Sequence, residues 1–233
     1  MDVPLANVTL EKQGTGESSG RLSYVALLKD GKGEVVKKFQ NERAFNVPAE
    51  KLEGFKAGHF IYTEHFDLPA GQYTLEIAVL EGQGSRISAR KNNLIMPPAA
   101  TTLGLSSITF VRNIKDREPT SEATDPLVLG TKVISPMSSP VVSKSTGAAL
   151  PFCMVIYLDK SDAGAPQLVM EFSRNGQVLG RGPAQLGQPD KEGRIPFVAT
   201  VPLARLEPGA FTLRFIVKQG VETAEVAAGF TLR

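Results

Sequence analysis

The two histidines, His59 and His65, are the residues best suited to acid–base or metal chemistry. Both fall in a stretch that reads as a strand, His59 to Phe66, and residues an even number apart on a strand share a face. At ~3.3 Å per residue they stand roughly 20 Å apart, too far to share one metal ion directly. They read as polar, outward-facing side chains. The one cysteine, Cys153, sits in Phe152-Cys153-Met154-Val155-Ile156-Tyr157-Leu158 and reads as a buried, inert thiol. A nucleophilic cysteine needs an electropositive, partly exposed setting with a histidine partner, and residues 98–233 contain no histidine. Gly-x-Ser-x-Gly does not occur. Gly82-x-Gly84-Ser85 lies between two expected strands, whereas a nucleophile elbow needs a strand before it and a helix after it. A serine triad would have to be built around His59 or His65. Asp159, Asp162, Asp190 and Glu192 fall in polar loops, where short acidic side chains form turns. A glycosidase pair needs two carboxyl groups about 5–9.5 Å apart in a cleft. There is no phosphate-cradling Gly-x-x-x-x-Gly-Lys-Ser/Thr, and the Gly-rich turns precede strands. The reading therefore assigns no catalytic, cofactor-binding or metal-ligating residue, and no cofactor.

Composition agrees with a scaffold. The chain has 233 residues, 42% hydrophobic and 21% charged, which fits one large or two ordinary domains with proper cores. Short apolar runs punctuated by 22 glycines and 16 prolines point to an all-β chain. Basic and acidic side chains balance at 12 each over residues 1–97, and stand at 14 to 12 over residues 98–233. Neither half carries the positive excess that a nucleic-acid backbone demands. A single cysteine excludes an internal disulfide. No run approaches the ~18 apolar residues of a membrane-spanning helix. The N-terminus lacks the basic and apolar regions of a signal peptide. Met1 followed at once by Asp2-Val3-Pro4 reads as a start placed at a domain boundary, so a piece of a longer protein is expected.

The elements that must position any site are organised around one phrase. Leu68-Pro69-Ala70-Gly71-Gln72-Tyr73-Thr74-Leu75 returns as Leu206-Glu207-Pro208-Gly209-Ala210-Phe211-Thr212-Leu213, 138 positions later. Each copy is a turn feeding a strand with period-2 alternation: Tyr73, Leu75, Ile77 and Val79 in the first, Phe211, Leu213, Phe215 and Val217 in the second. Tyr73 stands where a tyrosine corner returns its hydroxyl to the backbone. Further strands are expected at residues 5–11, 22–29, 34–40, 59–66 and 85–96 of the first half. In the second they are expected at 105–112, 127–134, 152–158, 167–173, 177–186, 195–201 and 221–232. Asp30-Gly31 and Asn175-Gly176 mark hairpins. Pro48 to Leu52 reads as a single helical turn. The fold class is all-β: two tandem immunoglobulin-like (fibronectin III-like) antiparallel β-sandwiches, residues 1–97 and 104–233, joined by a Pro-rich linker at 98–103. Two loops, 113–126 and 135–147, are long enough to be contact surfaces.

Leu-Pro-x-Gly-x-Tyr-x-Leu with its returning strand ending in Met96-Pro97, and the hairpin Tyr24 to Val36, resemble the region after the von Willebrand factor A domain in bacterial VWFA-related proteins. The second half is similar through Leu105 to Ile108, Asp125 to Gly130, Arg174 to Val178, Arg194 to Phe197 and Leu206 to Gly209. The resemblance implies a piece of a secreted or cell-envelope protein. The Asp-x-Ser-x-Ser metal motif of the adhesion-type domain is absent here, so no metal site carries over.

The function expected is a non-catalytic structural or protein-binding module, its partner a protein or a neighbouring domain of the same chain. A carbohydrate-binding module is the alternative, but tryptophan is absent and Tyr24, Tyr62, Tyr73 and Tyr157 all fall on expected strands. A hydrolase built on His59 or His65 comes third.

Overall fold

A computed structural model describes residues 1–14, 16–82, 86–98, 102–117, 127–129, 131–143 and 149–233. The chain divides into two compact units, Met1–Ala99 and Ala100–Arg233. Residues 99–101 of the expected linker lie outside the described residues. The fold class is the one read from the sequence: all-β, with two immunoglobulin-like sandwiches in tandem.

The first unit holds β1 (Asp2–Pro4), β2 (Glu11–Lys12), β3 (Glu17–Lys29), β4 (Val35–Pro48), β5 (His59–Ile61), β6 (Gly71–Glu81) and β7 (Arg86–Met96). Four long antiparallel strands run in the order β4-β3-β6-β7, with β2 beside the start of β3. The β3–β4 hairpin closes at Asp30, whose carboxylate accepts from the backbone N–H groups of Lys32 and Glu34, with Gly33 at φ 85°. The second layer is thin: the two-stranded β1–β5 sheet, a 3-10 turn at Leu5–Asn7, and α1 (Leu52–Lys56) preceded by a 3-10 turn at Ala49–Lys51. Of residues 5–11, expected as a strand, only Glu11 is one, at the start of β2. Leu5 and Val8, three apart on the turn, plug the core with Leu22, and Val3, Phe45, Phe55 and Phe60 pack around them. Strand β5 stops at Ile61, short of the expected Phe66. Beyond it the aromatics reach sideways instead of alternating, Tyr62 onto Tyr24 at 4.7 Å and Phe66 onto Phe39 at 5.4 Å.

The second unit is a fuller sandwich. Its strands are β8 (Gly104–Leu105), β9 (Thr109–Asp116), β10 (Val128–Leu129), β11 (Lys132–Pro136), β12 (Val141–Val142), β13 (Ala149–Tyr157), β14 (Gln167–Arg174), β15 (Gln177–Ala184), β16 (Arg194–Pro202), β17 (Gly209–Gln219) and β18 (Glu222–Leu232). One sheet runs β10-β11-β9-β13-β16, with β8 also on β13; the other runs β12-β18-β17-β14-β15. Alternate residues of β13 (Leu150, Phe152, Met154, Ile156) face alternate residues of β17 (Phe211, Leu213, Phe215, Val217) across the core. The rings of Phe152 and Phe215 lie 5.3 Å apart. Each such side chain contributes about 1.5–3 kcal/mol by leaving water.

Four expectations for this unit change. Residues 105–112 are two strands, because β8 and β9 pair with different stretches of β13. Residues 127–134 are a hairpin, β10 against β11. The stretch 135–147 contributes β12, which joins β18 in parallel, Val141 opposite Thr231, so the sandwich is antiparallel with one exception. Likewise 113–126 begins as strand, since β9 runs on to Asp116. Residues 118–126 and 144–147 of those two loops lie outside the described residues. Asn175 (φ 50°) and Gly176 (φ 83°) make the β14–β15 turn with the left-handed pair that a two-residue hairpin demands.

Candidate functional site

The residues singled out for chemistry do not converge. His59 is half-buried on β5, and its Nδ1 lies 2.6 Å from Oδ1 of Asp2 on the paired strand β1. That is the base-and-orienter half of a triad. No hydroxyl or thiol is hydrogen-bonded to the other ring nitrogen among the described residues, so the pair serves to tie β1 to β5. His65 is exposed in the irregular stretch after β5, not on a shared strand face with His59. Ser85 lies outside the described residues. Cys153 is buried on the outer face of β13 beside Val111 and Ile134, and burial pushes its thiol up to about 11. A thiol held protonated in an apolar setting is a poor nucleophile.

The loop carboxylates make turns. Asp159 accepts from the N–H and hydroxyl of Ser161 at 2.8 and 2.6 Å, which holds its carboxyl below the ordinary range. Asp190 caps the turn before β16, accepting from the N–H groups of Glu192 and Arg194 and pairing with the Arg194 guanidinium at 2.8 Å. Those hydrogen bonds to Arg194 lower its carboxyl and raise the guanidinium. Among the described residues no group of three or more His, Cys, Asp or Glu could hold a metal ion.

Sequence reasoning missed the polar groups at the ends of the two repeated strands. Gln219, buried at the end of β17, accepts from the N–H of Asp159 at 2.9 Å and donates to the carbonyls of Asp159 and Asp162 at 3.0 and 2.9 Å. Glu81, buried at the end of β6, accepts from the N–H of Thr9. These two positions are again 138 apart. Gly82 and Gly220, which follow them, both adopt left-handed φ, 61° and 54°. The signal was present in the spacing, but periodicity alone assigns a polar residue at a strand end to the turn.

A feature open to a partner is the outer face of the first unit's sheet, turned away from the cap. Register places Ser23, Val25 and Leu27 of β3 beside Leu80, Ala78 and Glu76 of β6, and these beside Ile87, Ala89 and Lys91 of β7. Ser23, Val25, Gln40, Glu42, Ala78 and Leu80 line a shallow, open depression there. Ser23 donates to Glu42 at 3.1 Å, and Arg21 lies 3.4 Å from the same carboxylate. Ile87 and Ile95 are 66% and 75% exposed.

No family model matches the chain, and no curated protein matches it. Solved structures share its architecture only loosely. A calcium-binding mutant of Bacteroides uniformis beta-glucuronidase 2 is 11% identical at TM-score 0.32; the alignment covers 99% of this chain, which spans only 25% of that enzyme. The C-terminal domain of the Streptococcus pyogenes antigen I/II-family protein AspA is 9% identical at TM-score 0.25, over 92% of this chain and 84% of that one. CBD12 from CALX1.2 is 11% identical at TM-score 0.21, over 90% and 77%.

Proposed function

We propose that the chain is a non-catalytic structural or protein-binding module, two β-sandwich units that belong to a larger secreted or envelope protein. The observation that carries this reading is the outer sheet face of the first unit, where Ile87 and Ile95 stand in water on a strand held in unbroken register with β6, Ile87 beside Leu80 and Ala89. Contiguous exposed apolar groups mark a protein-recognition surface. The VWFA-related context supports the same reading, with a neighbouring adhesion-type domain as the natural partner. No helix among the described residues is long and apolar enough to cross a membrane.

The test is crosslinking of the chain within its native longer protein, read by mass spectrometry. Crosslinks from Lys91 or Lys38 to another domain or protein are the expected result. A hydrolytic activity that disappears in His59→Ala, with the fold intact, would sink the reading. Tyr157, the exposed one of the four tyrosines, keeps carbohydrate binding as a second reading; glycan binding abolished by Tyr157→Ala would favour it.

A further inference from the structure

Sheet edges with unpaired backbone groups invite another strand, and proteins blunt them with Pro, Gly, bulges, lysines or brevity. The outer strands here differ in how well they are blunted. Strand β15 carries Gly180, Gly182 and Pro183, and its pairing with β14 slips between Phe172 and Ser173. Strand β16 carries Pro196 and Pro202. Strands β2, β10 and β12 are two residues long. Strand β4 begins at a register slip between Leu28 and Lys29, and it mixes Lys37, Lys38 and Arg43 with Glu42. Strand β7 has none of the geometric devices. Its eleven residues contain no Pro and no Gly, and they pair with β6 in unbroken register from Gly71–Met96 to Glu81–Arg86.

Its chemistry is polarised. Arg86, Arg90 and Lys91 are its only charged residues. Glu76, opposite Lys91, is already held by Lys29 at 2.6 Å, which leaves Lys91 at 3.9 Å. Arg86 lies 3.4 Å from Glu81, and Arg90 has no carboxylate partner among the described residues. Arg86 and Arg90 share one face of β7; Ile87, Ala89, Lys91, Asn93 and Ile95 share the other, where Ile87 and Ala89 extend the apolar band of Val25, Ala78 and Leu80. Cross-strand neighbours of opposite charge, and apolar neighbours, stabilise a pairing by about 0.2–1 kcal/mol each.

We propose that β7 is a docking edge, and that an extended protein segment with acidic residues on one face and apolar residues on the other adds beside Arg86–Met96 as a further strand. This rests on the protein-binding reading and names its surface and the chemistry of its partner. The probe is a fluorescein-labelled peptide of alternating glutamate and valine, as long as β7, titrated with the intact chain by fluorescence anisotropy. Saturable binding is expected, weakened at least about tenfold by Ile87→Glu with Arg90→Glu and weakened again as salt rises from about 0.05 to 0.5 M. Lys37→Glu with Lys38→Glu on β4 should leave it within about twofold. A peptide with lysine in place of glutamate should not bind. Circular dichroism and the melting midpoint check each fold, and Ile95→Glu repeats the test at the other end of the strand. Absence of saturable binding at about 1 mM peptide, equal binding of the lysine peptide, or indifference to the β7 variants overturns the proposal. A native partner that crosslinks only to residues 102–233 also overturns it while leaving the protein-binding reading in place.

Discussion

Strands β6 and β17 are two solutions to one problem. Each follows a Gly-containing turn, each alternates apolar residues into a core, and each ends in a buried polar side chain followed by a left-handed glycine. They differ in what lies opposite. Strand β17 faces β13 in a true second sheet, and its four inward residues are all fully buried. Strand β6 faces a 3-10 turn, a short helix and a two-stranded sheet, and of its inward hydrophobic residues only Tyr73 is buried. A strand pattern fixes which side chains point inward; the depth of burial depends on the layer supplied elsewhere in the chain. The second unit should therefore be the more stable, and heating the intact chain should melt the first unit earlier.

Phe215→Ala should sharpen that contrast most. Phe215 is fully buried against Phe152 and Phe197, so truncation should cost about 3–5 kcal/mol and lower the upper calorimetric transition only. Leu22→Ala in the smaller core should cost about 2–4 kcal/mol and move the lower transition only. If both variants moved one common transition, the two units would unfold as one and the comparison would fail.

The strand-end pair can be exchanged. Gln219 uses both its carbonyl and its amide, whereas Glu81 acts as an acceptor toward Thr9. Glu81→Gln keeps that acceptor and loses only the exposed contact to Arg86, a cost below about 1 kcal/mol. Gln219→Glu aims a carboxylate at the Asp159 and Asp162 carbonyls and should cost about 2–3 kcal/mol at neutral pH. Its proton restores a donor, so the folded variant binds that proton more tightly than the unfolded one. Its stability should rise as pH falls and be lost as pH rises. Denaturant melts at pH 4 and pH 7 would show it; a flat response would mean the loop rearranges around the acid.

How much of this was legible follows from the physics of each element. Strands half-buried on one face, such as Phe211 to Val217, write their period into the sequence. Strand β4 was read as far as residue 40 but runs to Pro48, because Asn41, Glu42 and Arg43 are exposed and carry no alternation. In residues 5–11 the spacing is mixed, three from Leu5 to Val8 and two from Val8 to Leu10, so a run this short does not separate turn from strand. Phe60, Tyr62 and Phe66 alternate correctly for a strand, yet the last two are drawn off by ring contacts with Tyr24 and Phe39, which lie far away in sequence. The His59–Asp2 pair needs the β1–β5 register and has no local signal. Glu81 and Gln219 were within reach, since the spacing of 138 already paired the residues before them.

The alkaline limb separates the units again. Cys153 keeps its proton until about 11, above the ordinary thiol value of 9.0. Between those values the unfolded chain has lost a proton that the folded chain retains. The thiol's contribution is thus complete below pH 9 and is lost as pH rises toward 11. The second unit's transition should begin to lose stability near pH 9, and Cys153→Ala should remove that slope; the first unit's loss begins only near pH 10.0, where Tyr24 and Tyr62, both held above the ordinary phenol value in the fold, ionise first in the unfolded chain. Labelling by a thiol reagent at pH 8 should be slow in the native chain and track opening of the second unit.

The smallest effect expected is at the corner itself. The Tyr73 hydroxyl donates to the Pro69 carbonyl at 2.9 Å. Phe211 has no hydroxyl. Its turn is tied instead by Arg174, which reaches from β14 across the Phe211 ring and donates at 2.6 Å to the carbonyl of Pro208, one residue past Glu207, the counterpart of Pro69. A Cβ at Gly209 would lie 2.8 Å from the Arg174 Nε, so the glycine leaves room for the guanidinium. One turn is tied by its own strand, the other by a neighbouring one. Tyr73→Phe should therefore cost about 1 kcal/mol in the first unit. Adding the hydroxyl in Phe211→Tyr should stabilise nothing, because the Phe211 ring is stacked with Phe172 and Phe230 and the turn is already held by Arg174. A gain in the upper melting transition from Phe211→Tyr would show that the two corners are interchangeable and that Arg174 is dispensable to the second.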